Sequence, residues 1–473
     1  MTFPAYPAYK DSGVEWLGEV PEHWAVHPLK RAIERIESGT SVNAADFPAE
    51  PGSLGVLKTS CVYTGKFDWA ENKTVDDEDL SRVSCPLRKD TLIVSRMNTP
   101  DLVGATGLVT EAPNGIFLPD RLWQVYFLVN HSPEFLFYFS KSREYREQVK
   151  MACSGTSASM QNLGQDDFRG LLFAEPPKPE QTQIARFLDH ETARIDALIE
   201  EQQRLIELLK EKRQAVISHA VTKGLDPTVP MKDSGVEWLG EVPAHWEVLQ
   251  FRRGFTFLTD YEANGSFAAT KEMVNLDEGE PYAWFVRATD LENGRIGLIQ
   301  GNRYCDETSY QFLSKTKLDG GELLIAKRGE IGKVYQLPEL SCRATLAPNL
   351  YSIKLSKKII TQFAFYWFSS GFGRPQLELA NKSTTIGALY KDDVRALICI
   401  FPPVSEQHEI TKRVDEQVRH VDLMIAEAEK IISLSSERRS ALISAAVTGK
   451  IDVRGWQPPA NTPAPEPVVA EVH

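Results

Sequence analysis

The sequence contains little sulfur, and its cysteines are scattered. Six cysteines occur along the chain with no CxxC pair, which argues against a zinc site or a disulfide framework and favours a reducing compartment. No apolar run approaches the roughly 18–20 residues that a membrane-spanning helix needs. The first nine residues lack a basic stretch followed by an apolar core. We therefore predict no signal peptide and expect a cytoplasmic protein.

The sequence also lacks the familiar catalytic motifs. It has no GxxxxGK[ST] phosphate loop, no HExxH, no GxSxG and no Gly-rich fingerprint for a dinucleotide or S-adenosylmethionine. The proline pairs at Pro176 and Pro402 lack the flanking residues of the Asn/Asp-Pro-Pro-aromatic motif of amino-methyltransferases. We therefore predict a protein that is not an enzyme, without catalytic residues, metal or cofactor of its own.

Basic residues are outnumbered. The chain of 473 residues has 53 Lys and Arg against 65 Asp and Glu, a net charge of −12. Taken alone, this excess of acid argues mildly against nucleic acid as a partner. The distribution of charge within a protein decides the matter, however, so the composition does not exclude DNA binding.

The chain is a tandem repeat. Residues 9–26 and 231–248 share 15 of 18 amino acids at a constant offset of 222, around the run KDSGVEWLGEVP. A second block, PPxxEQ and the residues after it, repeats at an offset of 226. Its matching pairs are Pro176 and Pro402, Glu180 and Glu406, Gln181 and Gln407, Asp189 and Asp415, Asp196 and Asp422, Arg213 and Arg439, and Thr222 and Thr448. Between the blocks, residues 27–175 and 249–401 share little sequence. The repeated blocks, which we call the frame, therefore occur twice, and each copy encloses a different middle segment, which we call a variable segment.

Each half ends in a long helix with one apolar stripe. No Pro or Gly interrupts residues 180–222, and apolar residues recur there in steps of three and four. Residues 406–448 repeat the pattern. A helix of about 40 residues with a single apolar stripe needs a partner. We predict that the two helices pair as an antiparallel coiled coil; the alternative is that both are ordinary core helices of one globule.

The middle segments are rich in short β-type runs broken by Gly, Asn, Asp and Pro. Each also contains an aromatic-rich helix candidate, at 133–150 and 361–370, whose rings we assign to the core. The predicted fold is α+β: a tandem pseudo-two-fold repeat of two β-rich α/β domains, separated by two long antiparallel helices. The predicted segments are a first domain at 1–178, a helix at 179–226, a second domain at 227–404, a helix at 405–452 and a Pro-rich disordered tail at 453–473.

This combination of motifs resembles the specificity (S) subunit of type I restriction-modification systems. The likeness runs from about Tyr9 to Asp452: KDSGVEWLGEVPxHW opens each half, a variable domain follows, and PPxxEQ leads into a long helix that ends in TKG or TGK. PPxxEQ alone would be a weak signal, but its pairing with the tandem frame is specific.

The resemblance implies a division of labour. Each variable segment is a target recognition domain that reads one half of a split DNA sequence, and the long helices set the distance between the halves. The frame holds two methyltransferase (modification) subunits, and motor-nuclease (restriction) subunits complete the complex. The S subunit itself is non-catalytic in an adenine-N6 methyltransferase and endonuclease complex. S-adenosylmethionine, ATP and Mg²⁺ are expected in the partner subunits.

Base reading requires Arg, Lys, Asn, Gln, Ser or Thr presented from loops. Two loops in each half meet this requirement, and Arg121 and Arg343 are further candidates. The full set of DNA-binding candidates is Arg96, Asn98, Arg121, Thr156, Ser157, Gln161, Asn162, Lys327, Arg328, Arg343, Lys382, Ser383, Thr384 and Thr385. Each of them could equally be a solvated loop residue or a phosphate contact.

Three alternatives remain open from the sequence. The chain could be a specificity subunit of a complex that methylates but does not cut. It could be a coiled-coil scaffold without DNA recognition, although a symmetric scaffold would not need two different middle segments. It could also be an enzyme whose site the motifs do not reveal.

Overall fold

The protein forms two compact units that do not follow the linear order of the chain. The structure, a computed structural model, describes residues 3–157, 160–381 and 387–459, without the side chains of 154–157 and 267. The first unit comprises Met1–Gln203 and Lys430–His473, and the second comprises Arg204–Glu429. Each unit therefore contains one middle segment and a part of both long helices.

The first unit is built mainly from short strands. Its strands are β1 Tyr9–Asp11, β2 Glu19–Pro21, β3 Ala25–Pro28, β4 Ile33–Ser38, β5 Ala44–Ala45, β6 Gly55–Leu57, β7 Asn72–Val75, β8 Leu92–Ser95, β9 Met97–Asn98, β10 Thr106–Leu108, β11 Ile116–Phe117, β12 Leu122–Phe127, β13 Ser154–Ser157, β14 Met160–Asn162 and β15 Leu172–Glu175. Its helices are α1 Pro133–Phe139, α2 Arg143–Ala152, α3 Gln165–Gly170 and the start of α4 Lys178–Lys223.

Two four-stranded sheets form the middle of the first unit. Their strand orders are β10-β8-β12-β4 and β11-β6-β7-β5, with β11 parallel to β6. A three-stranded sheet, β13-β14-β9, lies beside them, and β15 pairs with β3. In that last pair, β3 belongs to the repeated frame and β15 directly precedes α4. The two ends of the variable segment therefore lie side by side on paired strands.

The second unit repeats this plan with additional helices. Its strands are β16 Met231–Asp233, β17 Glu241–Pro243, β18 Glu247–Gln250, β19 Phe255–Asp260, β20 Ala283–Val286, β21 Tyr304–Cys305, β22 Lys317–Gly320, β23 Leu323–Ala326, β24 Val334–Gln336, β25 Glu339–Leu346, β26 Leu350–Leu355 and β27 Ile398–Phe401. Its helices are α5 Phe267–Met273, α6 Ala288–Glu292, α7 Glu307–Phe312, α8 Thr361–Ser369, α9 Gly373–Leu379, α10 Lys391–Ala396 and the start of α11 Val404–Val447.

The sheets of the second unit correspond to those of the first. Their strand orders are β19-β26-β23-β24 and β21-β20-β25-β22, and β18 pairs with β27 as β3 pairs with β15. The aromatic segment 361–370 forms α8, as predicted. Its counterpart at 133–150 is broken, because Ser140 ends α1 and Ser142 caps α2 by accepting a hydrogen bond from Tyr145 N.

The long helices run antiparallel, as the apolar stripes predicted. In the first unit, Asp196 in the first half of α4 forms an ion pair at 2.9 Å with Arg439 in the second half of α11. In the second unit, Arg213 in the second half of α4 pairs at 3.3 Å with Asp422 in the first half of α11. These four residues are two matching pairs of the repeat. Because all are about one third to one half exposed, the pairs define the register and contribute little stability.

Each unit has one main hydrophobic core, and both long helices contribute to it. In the first unit the core includes Trp24, Phe135, Phe173, Leu188 and Val447. In the second it includes Val221, Trp246, Phe363, Val414 and Phe401. The aromatic residues of α1 and α8 are therefore core residues, as predicted. The α+β class, the tandem repeat and the paired long helices are confirmed.

A glycine closes each long helix against a tryptophan of the frame. Gly224 and Gly449 both have φ of +76°, a conformation that favours glycine. A Cβ at Gly224 would lie 3.3 Å from the ring of Trp246, and one at Gly449 would lie 3.2 Å from Trp24. At each of these two positions, glycine is required for two reasons: the positive φ of the turn and the close approach of the tryptophan ring.

The chain beyond α11 does not leave the first unit at once. Val453 is buried, and the Trp456 ring meets Phe187 edge-on at 5.3 Å between centroids. Gln183 Nε2 donates to the carbonyls of both Val453 and Trp456. The predicted disordered tail therefore does not begin at 453, because an apolar anchor and two hydrogen bonds hold its first residues. The rest of that prediction, from residue 460 onward, lies outside the described residues.

In the part of the chain that the structure describes, no helix is both long enough and apolar enough to cross a membrane.

Candidate nucleic-acid interface

The repeated motifs meet at a buried carboxylate at the start of each long helix. In the first unit, Glu180 accepts hydrogen bonds from Tyr6 (2.6 Å), His23 (2.8 Å) and Trp24 (3.1 Å). Burial, and then the Glu180 carboxylate, raise the pKa of Tyr6, so that its hydroxyl stays a donor. The frame motif HW and the Glu of PPxxEQ therefore form one clamp.

The same clamp recurs in the second unit with one donor fewer. Glu406 accepts from His245 at 2.8 Å and from Trp246 at 3.1 Å. Its side chain is 25% exposed, whereas that of Glu180 is 7% exposed. The first clamp therefore depends more strongly on its carboxylate.

The glutamine of PPxxEQ attaches the variable domain to the long helix. Gln181 Oε1 accepts from Ser132 N at 2.9 Å, directly before α1. Gln407 Oε1 accepts from Ile360 N at 2.9 Å, directly before α8. About two turns further along each long helix, Asp189 and Asp415 accept from tyrosines of α1 and α8. The same glutamine and aspartate of each long helix therefore hold two variable segments of different sequence through the same kinds of hydrogen bond.

Replacing Glu180 by Ala should destabilise the first unit strongly. Tyr6 and Trp24 would keep buried donors without an acceptor, each costing about 1–3 kcal/mol, so we expect a loss of about 2–4 kcal/mol in the free energy of unfolding. Urea unfolding followed by tryptophan fluorescence would measure it. Glu207→Ala, at a 68% exposed position of the same helix, is the control. Equal unfolding midpoints for the two variants would contradict the clamp.

The structure brings four of the first-unit candidates together. Gln161 lies opposite Asn98, and Asn162 lies opposite Met97, in the sheet β13-β14-β9. Arg96 directly precedes β9. These residues were predicted to be presented from loops, but Asn98, Gln161 and Asn162 stand on short strands, because the two predicted loops pair with each other.

One of these four, Asn98, has a restricted role. Asn98 is 8% exposed, and its amide nitrogen donates to Tyr63 at 2.7 Å and to Ser95 at 3.2 Å. It is therefore a structural residue rather than an open base reader. Asn162 Oδ1 and Arg96 Nε are buried without a hydrogen-bond partner among the described residues. Unlike Asn98, these two retain hydrogen-bonding capacity.

Arg121 adjoins this group, because its carbonyl accepts a hydrogen bond from Arg96 N at 3.1 Å. It is exposed, and it borders a cavity of about 530 Å³ together with Lys58 and Lys73. Both lysines contact the carboxylate of Asp46, at 3.6 and 3.1 Å, and the hydrogen bond from Lys73, followed by the charge of both lysines, lowers the pKa of that group. This concentration of positive charge was not visible in the composition of the acidic first half.

In the second unit, Lys327 is not an exposed loop residue as predicted. Its side chain is 7% exposed, and its ammonium contacts Asp260 at 2.6 Å and Glu262 at 3.0 Å. Asp260 also contacts Lys391 at 2.6 Å, and Glu262 also contacts Arg328 at 3.3 Å. Burial would raise the pKa of Asp260, but hydrogen bonds from the two lysines outweigh it, so the pKa is lowered and the carboxylate stays charged.

These five residues form a chain of alternating charge, which we call the charge chain. It lines a cleft of about 490 Å³. Its members, in order of contact, are Lys391, Asp260, Lys327, Glu262 and Arg328. The inner members Asp260 and Lys327 are buried, and Arg328 at one end is 55% exposed. The two cations at 327 and 328 were predicted from the sequence, whereas the other three members, which lie more than 60 residues away along the chain, were not.

Arg343 lies apart from the charge chain. It stands on β25 in the other four-stranded sheet, and its guanidinium lies 4.5 Å from the centre of the Tyr282 ring. The candidate Arg343 and the candidates Lys327 and Arg328 therefore belong to different sheets of the second unit.

The side chains of six candidates lie outside what the structure describes. The backbone of Thr156 and Ser157 belongs to β13, but their side chains are not described. Lys382, Ser383, Thr384 and Thr385 fall entirely outside the described residues.

Arg96 and Lys327 occupy equivalent positions. Arg96 follows β8 and accepts at its carbonyl from Leu163 N at 2.8 Å. Lys327 follows β23 and accepts in the same way from Leu389 N at 3.0 Å. Leu163 and Leu389 are offset by 226, which is the offset of the second repeat block. The repeat therefore continues through the segments that share little sequence.

Strand registers extend this equivalence to the whole charge chain. Ser38 lies opposite Trp123 at the end of β4, and Asp260 lies opposite Tyr351 at the end of β19. The equivalent positions, first unit then second, are Ser38 and Asp260, Thr40 and Glu262, Arg96 and Lys327, Met97 and Arg328, and Gln165 and Lys391. Five charges in the second unit thus correspond to a single charge in the first.

The described residues contain no group of three or more His, Cys, Asp or Glu side chains arranged to hold a metal ion. The polar groups described above are hydrogen-bonding and charged side chains at short strands and at the start of α10.

Comparison with known proteins gives a consistent result. Residues 261–432 match the family described as the type I restriction modification DNA specificity domain. The chain is 24% identical over 447 residues to the putative type I restriction enzyme MjaX specificity subunit of Methanocaldococcus jannaschii, covering 93% of this chain and 96% of that protein. It is 23% identical over 459 residues to the EcoKI specificity subunit of Escherichia coli, covering 93% and 91%.

Solved structures show the same fold. The HsdS subunit from Thermoanaerobacter tengcongensis matches with a TM-score of 0.52 and 16% identity, over 91% of this chain and 98% of that one. A chain from a study of complex assembly and conformational transition of the type I restriction-modification system matches with a TM-score of 0.64 and 15% identity, over 90% and 98%. The resemblance in the sequence is therefore confirmed: residues 261–432 match the DNA specificity domain family, and the chain is similar over nearly its whole length to specificity subunits of type I restriction-modification systems.

Proposed function

We propose that this chain is the DNA sequence-recognition subunit of its complex and that it reads a split target, one half with each unit. The observation that carries the proposal is the contrast between the repeated frame, which is nearly the same in both units, and the variable segments, which differ. The Glu180 and Glu406 clamps are nearly identical, whereas equivalent positions in the variable segments hold different polar groups. Two unlike readers on one repeated frame suit an asymmetric, two-part DNA sequence.

The partners follow from the same arrangement. A frame that occurs twice offers the same surface twice, which fits two copies of a methyltransferase subunit. Restriction subunits would complete the complex. The chemistry, transfer of a methyl group to adenine N6 with S-adenosylmethionine and cleavage with ATP and Mg²⁺, belongs to those partners. This chain contributes position and specificity.

A map of modified adenines tests the proposal directly. Cells carrying the cognate methyltransferase should show a split motif only when this chain is also present, because the methyltransferase alone has no reader. The matched control is the same cells with the chain's gene deleted. If no motif depends on the chain while the methyltransferase still co-purifies with it, the chain is a scaffold and the proposal is wrong.

A further inference from the structure

The charge chain fixes two outward-facing cations in the second unit. Its inner members Asp260 and Lys327 are 4% and 7% exposed and are paired with each other at 2.6 Å. Its ends, Lys391 and Arg328, are 34% and 55% exposed. An ammonium has three donors and a guanidinium has five, so each end keeps donors beyond its one ion pair among the described residues.

The fixed geometry matters because freely moving surface cations lose entropy when they bind. Lys391 is held by a buried carboxylate, and Arg328 is held by Glu262, which itself is tied to Lys327 at 3.0 Å. The ends are therefore positioned before any ligand arrives. Such preorganisation favours directional recognition over loose electrostatic attraction.

The first unit lacks this device at the same positions. Gln165 replaces Lys391 and Met97 replaces Arg328, while Ser38 and Thr40 replace the two carboxylates. A contact to the phosphate backbone would be useful to both units, because the backbone is the same for every sequence. A charge arrangement found in one unit only is instead what different base sequences require.

We propose that Arg328 and Lys391 are specificity-determining residues of the second unit and donate to guanine in the half-site that this unit reads. Guanine presents two acceptors, O6 and N7, in the major groove, and Arg and Lys are the donors that match them. Asp260 and Glu262 act as positioning residues, holding the two cations without touching DNA. The proposal rests on the proposed DNA-recognition function.

The test exchanges the ends of the charge chain for their first-unit equivalents. Lys391→Gln and Arg328→Met, each in the full chain with its methyltransferase, should lower the preference for guanine at one position of one half-site by roughly tenfold to hundredfold. The other half-site should stay unchanged. Modified adenines across the genome provide the measurement, since the surrounding sequence reports each half separately.

Lys354→Gln is the matched control. Lys354 is 39% exposed and paired with the exposed Asp319, so it resembles Lys391 in charge and exposure, but it lacks a buried partner and lies outside the cleft. The DNA motif modified with the Lys354→Gln variant should be the same as with the wild-type chain. If Lys391→Gln abolishes modification altogether, Lys391→Arg decides: restoration of the original guanine supports the proposal, and continued loss contradicts it.

Other outcomes overturn the inference in distinguishable ways. Unchanged motifs in both variants would show that the two cations do not read bases. A uniform drop in modification, with no change of motif, would show that they bind phosphates instead. If the wild-type chain itself yields no dependent motif, the proposed function fails, and this inference fails with it.

Discussion

A chain in which both variable segments are copies of residues 249–401 is expected to direct modification to a symmetric split motif. The half-site read by the second unit would then appear twice, once in each orientation, and the half-site read by the first unit would disappear. This is a complete change of target produced without any new base-reading residue, and it is the largest effect that the repeat predicts.

The contacts at the graft points support this exchange. Gln181 would accept from the Ile360 backbone as Gln407 does, and Asp189 would accept from Tyr366 as Asp415 does. The frame contributes a third matching contact from the other long helix. Ser444 Oγ accepts from Arg143 N in the first unit, and Ser218 Oγ accepts from Gly371 N in the second.

Mapping modified adenines in cells that carry the grafted chain and the methyltransferase would measure the outcome. The reciprocal graft, with residues 27–175 in both places, is the control, and it should yield the other half-site doubled. An asymmetric motif from either graft would contradict the view that each variable segment reads one half independently. Loss of methyltransferase co-purification would point instead to a frame damaged at its junctions.

The sequence alone predicted the parts of the fold that depend on periodicity and repetition. The long helices follow from an unbroken apolar stripe, and their pairing follows from the need to bury it. The matching pairs Arg213 and Arg439, and Asp196 and Asp422, were visible as repeats, and the structure shows them as the two ion pairs of the coiled coil.

The candidate site was predicted less well, because its contacts are distant in sequence. Nothing around Lys327 indicates that Asp260, 67 residues earlier, neutralises it. Nothing around Asn98 indicates that Tyr63, 35 residues earlier, accepts a hydrogen bond from its amide. Both contacts depend on how segments far apart in sequence are brought together in the fold.

The difference between the units also emerged only from the fold. Residues 27–175 carry more acid than base, 20 against 16, and residues 249–400 carry 17 against 19. These totals are similar, so composition does not separate the two units. Their equivalent positions differ sharply, because one unit collects five charges where the other has one.

Lengthening both long helices by one heptad is expected to widen the gap in the target by about three base pairs. Seven residues add roughly 10 Å of helix, and base pairs lie about 3.4 Å apart. A heptad keeps the apolar stripe in phase, so the helices should still pair. Each half of the motif should stay unchanged, because neither variable segment is altered.

The insertion must be made at facing positions of the antiparallel helices. The ion pairs Asp196–Arg439 and Arg213–Asp422 define a register in which the bond after Gln203 faces the bond after Ile431. Placing the same seven residues in only one helix is the control. It would shift every apolar contact beyond the insertion, and we expect it to abolish modification.

Motif mapping reports the gap directly, as the number of unspecified base pairs between the two conserved halves. A wider gap with both halves intact would establish the helices as the element that sets spacing. An unchanged gap in a chain that still directs modification would mean that the half-sites are positioned by the methyltransferase partners. The two long helices would then serve only to hold each variable segment in its frame.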